Sequence, residues 1–422
     1  MFTLLETRHY KCLKRIKTPL SPFNILIGPN ASGKSTLLDI LGFLRQALLS
    51  DVEKAIRQRG NTLAELVWAQ QESLPDQPES SLEFAVEATV PQALQRNSYQ
   101  KVRYEVAIGL SEAGEIVVQH ENLWLVADKR KNHHRYTPQN RFPRERDDSV
   151  SIIHPQHSKT PPGQRVVVRK SFPGNDYFQA ESGKWNIQYT LSPRRLALSG
   201  IPEDKDRFPM ALWFRSLLLE AVQLLQLNSL LMRQPCPADA PRLFQADGSN
   251  LPLMVRDLQQ NHAQRFQWWV GHLQTIVPDL AAIEVAERPE DRSKYLLVRY
   301  RNGFQVPSWL LSDGTLRLLA LTLIAHLPPT EQVFLIEEPE NGIHPRAVEG
   351  VFQALSSVYE GQIFMATHSP LILALAKPEQ LLVFAKLPSG ASDVIRGDEH
   401  PALQNQPVDL SLQSLFAAGV LE

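Results

Sequence analysis

Residues Gly28-Pro29-Asn30-Ala31-Ser32-Gly33-Lys34-Ser35 fit the pattern G-x-x-x-x-G-K-[S/T], and no other feature restricts the fold of this 422-residue chain as strongly. The apolar, β-favouring run Phe23–Ile27 precedes the pattern. Ser35–Leu49 follows it, with Leu37, Leu38, Leu41, Leu44 and Leu48 on related helical faces. A strand, a tight glycine loop and a helix in this order aim successive backbone N–H groups at an anion. Glycines stand where a side chain would block that approach, and the helix N-terminus adds partial positive charge. The four fixed positions recur by accident in roughly 1% of chains this long, so the strand and helix on either side decide the reading. Lys34 then suits the β- and γ-phosphates of a nucleotide, the Ser35 hydroxyl suits Mg²⁺, and Thr36 lies near the α-phosphate.

Two further apolar runs end in reactive side chains. Val333–Ile336 leads into Glu337-Glu338-Pro339-Glu340. Paired carboxylates at the end of a hydrophobic strand suit a nucleotide site, where one holds Mg²⁺ through water and the next orients or deprotonates the attacking water. A solvated loop start is also rich in acids, so this reading leans on the phosphate loop upstream. Gln362–Ala366 leads into Thr367-His368-Ser369-Pro370, which puts His368 at a strand end in a position to contact a γ-phosphate. Leu311-Ser312-Asp313-Gly314-Thr315 precedes the apolar helix Leu316–His326 and is another small-residue loop at a helix N-terminus. Alone it says little. In the order phosphate loop, this loop, acidic strand and histidine strand, it becomes specific.

Composition narrows the remaining classes. Lys and Arg number 44 against 45 Asp and Glu, a net charge of −1, which excludes a uniformly basic nucleic-acid binder. Hydrophobic residues make up 43%, enough for a substantial core. Cys12 and Cys236, with no C-x-x-C, exclude a disulfide scaffold and a zinc ribbon and fit a reducing cytoplasm. No apolar run reaches the roughly 18 residues of a membrane span, and the N-terminus has no signal-peptide core, so a soluble, cytoplasmic protein without membrane contact is expected. The start of the chain reads as two short strands, Phe2–Glu6 and Phe23–Ile27, with a turn-rich stretch around Pro19 and Pro22 between them. Leu82–Val90, Lys101–Leu110 and Glu115–Leu125 alternate as strands, with Ala113-Gly114 as a hairpin turn. Pro209–Arg233 and Leu251–Val277 have helical periodicity.

Residues 128–170 stand apart, with 11 Lys and Arg against 4 Asp and Glu, four histidines and five prolines. Poor periodicity predicts an irregular, surface-exposed basic insertion. Its cations, with Tyr136 and Phe142 among them, suit DNA contact through phosphate neutralisation and base stacking. The plain alternative is a solvated loop. His133, His134, His154 and His157 lack a paired acidic motif, which argues against a metal nuclease there.

GPNASGKST (28–36), LSDGT (311–315), LIEEPENGIHP (335–345) and ATHSP (366–370) together resemble the ABC-type ATPase heads of the SMC/RecF/OLD class. The closer resemblance is to stand-alone AAA family ATPases of the AAA_21 type. Asp247-Gly248-Ser249-Asn250-Leu251 is similar to the G-x-N-L element of RecF-like proteins, and Arg8-His9-Tyr10-Lys11 to the N-terminal strand near the nucleotide. The resemblance implies an ATP-driven head-to-head homodimer or higher homo-oligomer, with each nucleotide between the phosphate loop of one subunit and the signature loop of the other. On this analogy Gly28, Pro29, Asn30, Ala31, Ser32, Gly33, Lys34, Ser35 and Thr36 bind ATP, and Ser35 and Glu337 serve Mg²⁺. Glu338 is the catalytic base, and Lys34 and His368 complete the catalytic set. Ser312 and Gly314 reach the partner's γ-phosphate, and Asn341–His344 stands for the D-loop. The family usually carries Asp where Glu337 stands; the longer side chain still reaches a metal-bound water. Gln70 and Gln71 are the Q-loop candidates.

The implied fold is α/β: an ABC-type P-loop NTPase head with a mainly parallel core sheet and inserted β-rich and helical lobes. The expected division is a head from residues 1–80 and 290–385, a β-rich lobe over 81–200 carrying the 128–170 insertion, a helical lobe over 201–289 and a C-terminal extension over 386–422. Lys34 and Ser312 lie 278 positions apart, too far for a transporter subunit. No heptad tract or central C-x-x-C supports a long-armed SMC or hook protein. Only 54 residues follow His368, too few for a TOPRIM nuclease. The resemblance then implies an ATPase that regulates a separately encoded effector, often a TOPRIM-like or other nuclease, in DNA repair or anti-phage defence. The alternative is a slow-hydrolysing, ATP-dependent DNA clamp or sensor without an effector.

Overall fold

The computed structural model describes residues 1–68, 81–95, 98–127, 141–154, 160–329, 331–404 and 412–419. The chain opens with β1 (Phe2–Tyr10), β2 (Leu13–Pro19), β3 (Phe23–Ile27), α1 (Lys34–Leu49) and α2 (Val52–Arg57). Next come β4 (Leu82–Thr89), β5 (Tyr99–Leu110), β6 (Ile116–Ala127), β7 (Gln164–Ser171), β8 (Asp176–Gln179), β9 (Asn186–Tyr189) and α3 (Pro209–Ser216). The middle holds β10 (Val222–Leu225), α4 (Ser229–Arg233), α5 (Leu251–Asn261), α6 (Ala263–Ile276), β11 (Leu280–Glu287), β12 (Lys294–Tyr300), β13 (Gln305–Pro307) and α7 (Asp313–Ile324). The last elements are β14 (Val333–Glu337), α8 (Pro345–Ser356), β15 (Gln362–Ala366), α9 (Pro370–Leu375), β16 (Leu381–Lys386), β17 (Ser392–Arg396), α10 (Pro401–Gln404) and α11 (Leu412–Ala417).

Two compact units result: Met1–Val222 with Pro378–Leu410 and Ala418–Glu422, and Gln223–Lys377 with Ser411–Ala417. The first contains an eight-stranded antiparallel sheet in the order β2-β1-β4-β5-β6-β7-β8-β9. Strand alternation gives it two unlike faces. One carries Leu5, Phe84, Val86, Tyr104, Val106 and Leu123, all buried. It receives α1, whose Phe43 ring lies 5.3 Å from Phe84 and 6.0 Å from Tyr10. The opposite face is charged: Arg103 pairs with Glu6 at 2.9 Å, Glu87 at 3.1 Å and Glu105 at 2.7 Å. In the same unit β3 pairs in parallel with β16, which pairs antiparallel with β17. Every residue of β3 is buried, as expected for a strand covered on both faces.

The charged face also anchors part of the basic insertion. The segment 141–154 is irregular and largely exposed, as expected, but its end at Ile152–His154 is seated on that face and bonded to it. Ile152 and Ile153 pack against Ala85 and Ala107, small residues that leave room for them. Ile152 N donates to Glu83 Oε2 at 2.8 Å, and His154 Nδ1 meets Glu105 Oε1 at 2.5 Å. Burial pushes the Glu105 carboxyl up, but the His154 hydrogen bond and the Arg103 guanidinium outweigh it and hold its pKa at about 2. Residues 164–170, also placed in the insertion, belong to β7. His133, His134, Tyr136 and His157 lie outside the described residues.

A second buried carboxylate on this sheet behaves oppositely. Glu121 accepts from Leu198 N at 2.8 Å and Tyr104 Oη at 2.8 Å, and also from Ala197 N, yet complete burial pushes its pKa up to about 7.

In the second unit β14 and β15 pair in parallel from Val333↔Gln362 to Glu337↔Ala366, and β10 flanks β14. A three-stranded antiparallel sheet, β11-β12-β13, joins them with helices α5 to α9. One helical expectation is corrected. Pro209–Arg233 is interrupted: α3 ends at Ser216, a π-helical turn spans Leu217–Ala221, strand β10 follows, and helix resumes only in α4. Pairing to β14 overrides the leucine periodicity there. Leu251–Val277 is two helices broken at His262. The start of the chain holds three strands rather than two, because Leu13–Pro19 forms β2 along β1. Among the described residues no helix is long and apolar enough to cross a membrane.

Candidate functional site

In the first unit the Gly28–Ser35 loop joins β3 to α1 as a cradle of backbone. Gly28, Ala31 and Gly33 have φ of +139°, +57° and +97°. A Cβ on Gly28 would lie 2.2 Å from the Phe384 carbonyl oxygen, and one on Gly33 would lie 2.9 Å from Leu13 Cδ2. Gly28 therefore requires glycine for space as well as backbone, and Gly33 chiefly for its backbone. Lys34 is buried, and its Nζ donates to the Gly28 and Pro29 carbonyls at 2.7 and 2.8 Å. Among the described residues Ser32 Oγ is buried without a hydrogen-bond partner, an orphan that a phosphate oxygen would satisfy. Asn30, Ala31 and Ser35 are exposed at the mouth, while Pro29 and Thr36 are half-buried. These features fit a bound triphosphate, and the exposed Ser35 hydroxyl fits a cation that keeps most of its waters.

Behind the loop, Asp39 on α1 draws in the N-terminal strand. Tyr10 Oη donates to Asp39 Oδ2 at 2.5 Å, Lys11 Nζ at 2.8 Å, and Arg59 Nε donates to Oδ1 at 2.7 Å. Burial raises the Asp39 carboxyl, but Arg59, Lys11 and Tyr10 together hold it below its ordinary value. Burial, reinforced by the Asp39 charge, pushes the Tyr10 phenol far up. The Arg8-His9-Tyr10-Lys11 segment is thus tied to the helix that opens at Lys34. Sequence reasoning did not identify Asp39 or Arg59.

In the second unit the parallel pairing brings the acidic strand end beside the histidine strand end. Glu337, the last residue of β14, is exposed. Glu338 follows with φ +46°, an uncommon backbone for a non-glycine residue, and its N–H donates to Ala366 O at 2.8 Å. Its carboxylate accepts from Asn341 Nδ2. Glu340 Oε1 accepts from Thr367 Oγ1 at 2.6 Å, and Thr367 Oγ1 accepts from Ser369 N at 2.9 Å. That chain ties the acidic strand end to the residues on either side of the half-buried His368. Glu340 stood in the quoted acidic string, but only the structure shows its role as a brace.

Ser312 caps α7 by accepting from Thr315 N at 3.2 Å. A Cβ on Gly314 would lie 2.4 Å from the Gly342 carbonyl oxygen, so Ser312-Asp313-Gly314 packs directly on the Asn341–His344 turn. A cavity of about 900 Å³ opens there, lined by Ser312, Gly314, Thr315, His344, Arg346 and Arg233. Among the described residues no group of three His, Cys, Asp or Glu could hold a metal on its own. Gln70 and Gln71 lie outside the described residues. Arg146, one of the cations expected to meet DNA, is instead committed to Asp393 at 2.8 Å.

The family described as "AAA domain, putative AbiEii toxin, Type IV TA system" matches residues 23–374. The chain is similar to the Smc head bound to the C-winged helix domain of ScpA, at 15% identity and a TM-score of 0.53, over 93% of this chain and 97% of that one. It is also similar to the Smc head domain with an extended coiled coil bound to the C-terminal domain of ScpA from Pyrococcus furiosus. There the identity is 13% and the TM-score 0.51, over 100% of this chain and 98% of the other. No curated protein matches. The fold is that of an α/β ATPase head of the SMC class.

Proposed function

We infer that this chain, which belongs to the AAA-domain family described with AbiEii toxins and Type IV TA systems, binds and hydrolyses ATP as a nucleotide-dependent dimer that regulates a separate effector. The observation that carries this reading is the Gly28–Ser35 cradle, with its left-handed glycines, buried Lys34 and orphaned Ser32 hydroxyl. Lys34 and the loop N–H groups neutralise and orient the β- and γ-phosphates. Glu338 takes the proton from the attacking water as the new O–P bond forms and the β–γ bridge breaks to release ADP. His368 holds the γ-phosphate, and Ser312 and Gly314 meet the nucleotide of a second copy. Mg²⁺, when bound, neutralises charge on the phosphate oxygens, and Ser35 and Glu337 are its residues.

The family's description with toxin systems supports a defence role, exerted on an effector that prefers one nucleotide state. A slow clamp is favoured by one observation, the hydrogen bond from Asn341 that already engages Glu338. Steady-state ATPase assays with and without DNA separate the two readings. Lys34→Ala is expected to weaken nucleotide binding by about 100-fold or more, through loss of the phosphate's charge partner. Glu338→Gln is expected to keep binding, slow turnover by about 100-fold and trap an ATP-bound dimer visible by light scattering. Parent-like turnover in Glu338→Gln would refute the base assignment. The pure chain is expected not to cut DNA; Mg²⁺-dependent cleavage that survives Lys34→Ala would refute the need for an effector.

A further inference from the structure

Arg233, the last residue of α4, grips a loop far downstream in the chain. Its Nε and Nη2 donate to the Leu311 carbonyl at 3.3 and 3.0 Å, and Nη2 lies 2.5 Å from Asp313 Oδ1. Its own carbonyl accepts from Ser308 Oγ at 3.4 Å. One residue thereby pins the chain from Ser308 to Asp313, while the Gly342 carbonyl stops the loop on its other side at Gly314. Arg233 also stands in the walls of two cavities. One is the 900 Å³ space beside Ser312 and Gly314; the other, of about 630 Å³, holds Arg317 and Glu337.

The charge at the loop needs an explanation. Asp313 is 63% exposed and sits between the two residues assigned to a phosphate. An unpaired carboxylate there would repel a polyanion across a few ångströms. The guanidinium cancels that charge, and its planar fork serves a carbonyl and a carboxylate together, which a lysine ammonium cannot do in the same geometry.

We propose that Arg233 is a positioning residue for the shared nucleotide site: it fixes Leu311–Gly314 and neutralises Asp313, so that the loop accepts the triphosphate end of a nucleotide held by a second copy of this chain. The inference rests on the head-to-head reading given above.

The test uses full-length chains, mant-ATP as the binding probe and ATPase turnover as the readout. Arg233→Ala is expected to bind mant-ATP like the parent and to lose about tenfold or more in kcat. Adding Asp313→Asn to that variant is expected to recover about threefold or more, because the charge to be cancelled is gone; a merely structural role would give no such rescue. Mixing Arg233→Ala with Lys34→Ala should restore turnover, since one shared site then combines an intact phosphate loop with an intact Arg233. Ser312→Arg mixed with Lys34→Ala reports the head-to-head arrangement independently. Recovery in that control without recovery in the Arg233 pair overturns the proposal alone, as does failure of Asp313→Asn to rescue. Recovery in neither pair overturns the head-to-head reading and this proposal with it. If Arg233→Ala does not fold, judged by its melting curve, Arg233→Gln takes its place in each arm.

Discussion

The Gly28–Ser35 loop and the 141–154 segment lie in the same compact unit and are secured by opposite means. The loop's polar bonds come from its immediate neighbours: Lys34 on the carbonyls of Gly28 and Pro29, Ser32 N on Pro29 O, Leu37 N on Gly33 O. The segment's bonds come from side chains remote in sequence: the carboxylates of Glu83, Glu105 and Asp393, and Arg8, His9, Lys14 and Arg15 on β1 and β2. The first arrangement closes short rings at small entropic cost; the second must order a long stretch before any bond repays it. The loop's polar framework is therefore local, although its glycines pack against Leu13 and Phe384. The segment's docking depends on the protonation and integrity of side chains elsewhere.

The sharpest way to break this contrast is Glu105→Ala. It leaves Arg103 buried with one fewer partner and removes the acceptor of His154, Asn122 and Trp124. A loss of about 3–5 kcal/mol in urea unfolding is expected, with mant-ATP affinity unchanged within about twofold. A loss below about 1 kcal/mol would mean that the segment does not depend on this carboxylate. Acid should produce a weaker version of the same effect. Glu105 has a folded pKa of about 2 against an ordinary 4.5, so its stabilisation is complete above the unfolded value and fades as pH falls through 4.5 towards 2. By pH 3 about 2 kcal/mol of it should be gone, seen as faster hydrogen exchange at Ile152 and Ile153 before the α1 amides respond. Simultaneous exchange of both regions would erase the contrast. Smallest in its effect on the segment is Gly28→Ala, which forces a Cβ to 2.2 Å from the Phe384 carbonyl oxygen and so displaces the loop backbone. It should weaken mant-ATP binding while leaving exchange at Ile152 and Ile153 unchanged.

The same contrast accounts for what could be read from the sequence. The phosphate loop, α1, β4 to β6 and the strand ends at Glu337 and Thr367 declare themselves within a few residues, by glycine placement, period and acidic or histidine punctuation. Three features do not. β2 was hidden because its residues, Leu-Lys-Arg-Ile-Lys-Thr-Pro, alternate weakly beside prolines and are ordered by pairing with β1. β10 was hidden inside a leucine pattern that favours helix until β14 competes for its backbone. The 141–154 segment has the composition of a solvated loop, and only the charged sheet face beneath it makes that composition a docking surface. Arg233 and Asp39 act through partners that no local window contains, whereas Glu340 stood in the acidic string but its link to Thr367 needs the parallel pairing of β14 and β15.

The contact between Gly314 and Gly342 limits which variants of this protein can arise. Every substitution at Gly314 brings a Cβ to the Gly342 carbonyl oxygen, so no single step away from glycine is tolerated without moving the turn as well. Gly342 has φ +75°, which disfavours a compensating change there. Two loops on separate stretches of chain are in this way inherited as one letter pair. Asp313, exposed and, among the described residues, tied through Arg233, is free to vary whenever its cation varies with it. A saturation library selected for ATP turnover should return glycine alone at 314 and at 342, and a mixture at 313 whose acidic members keep arginine at 233.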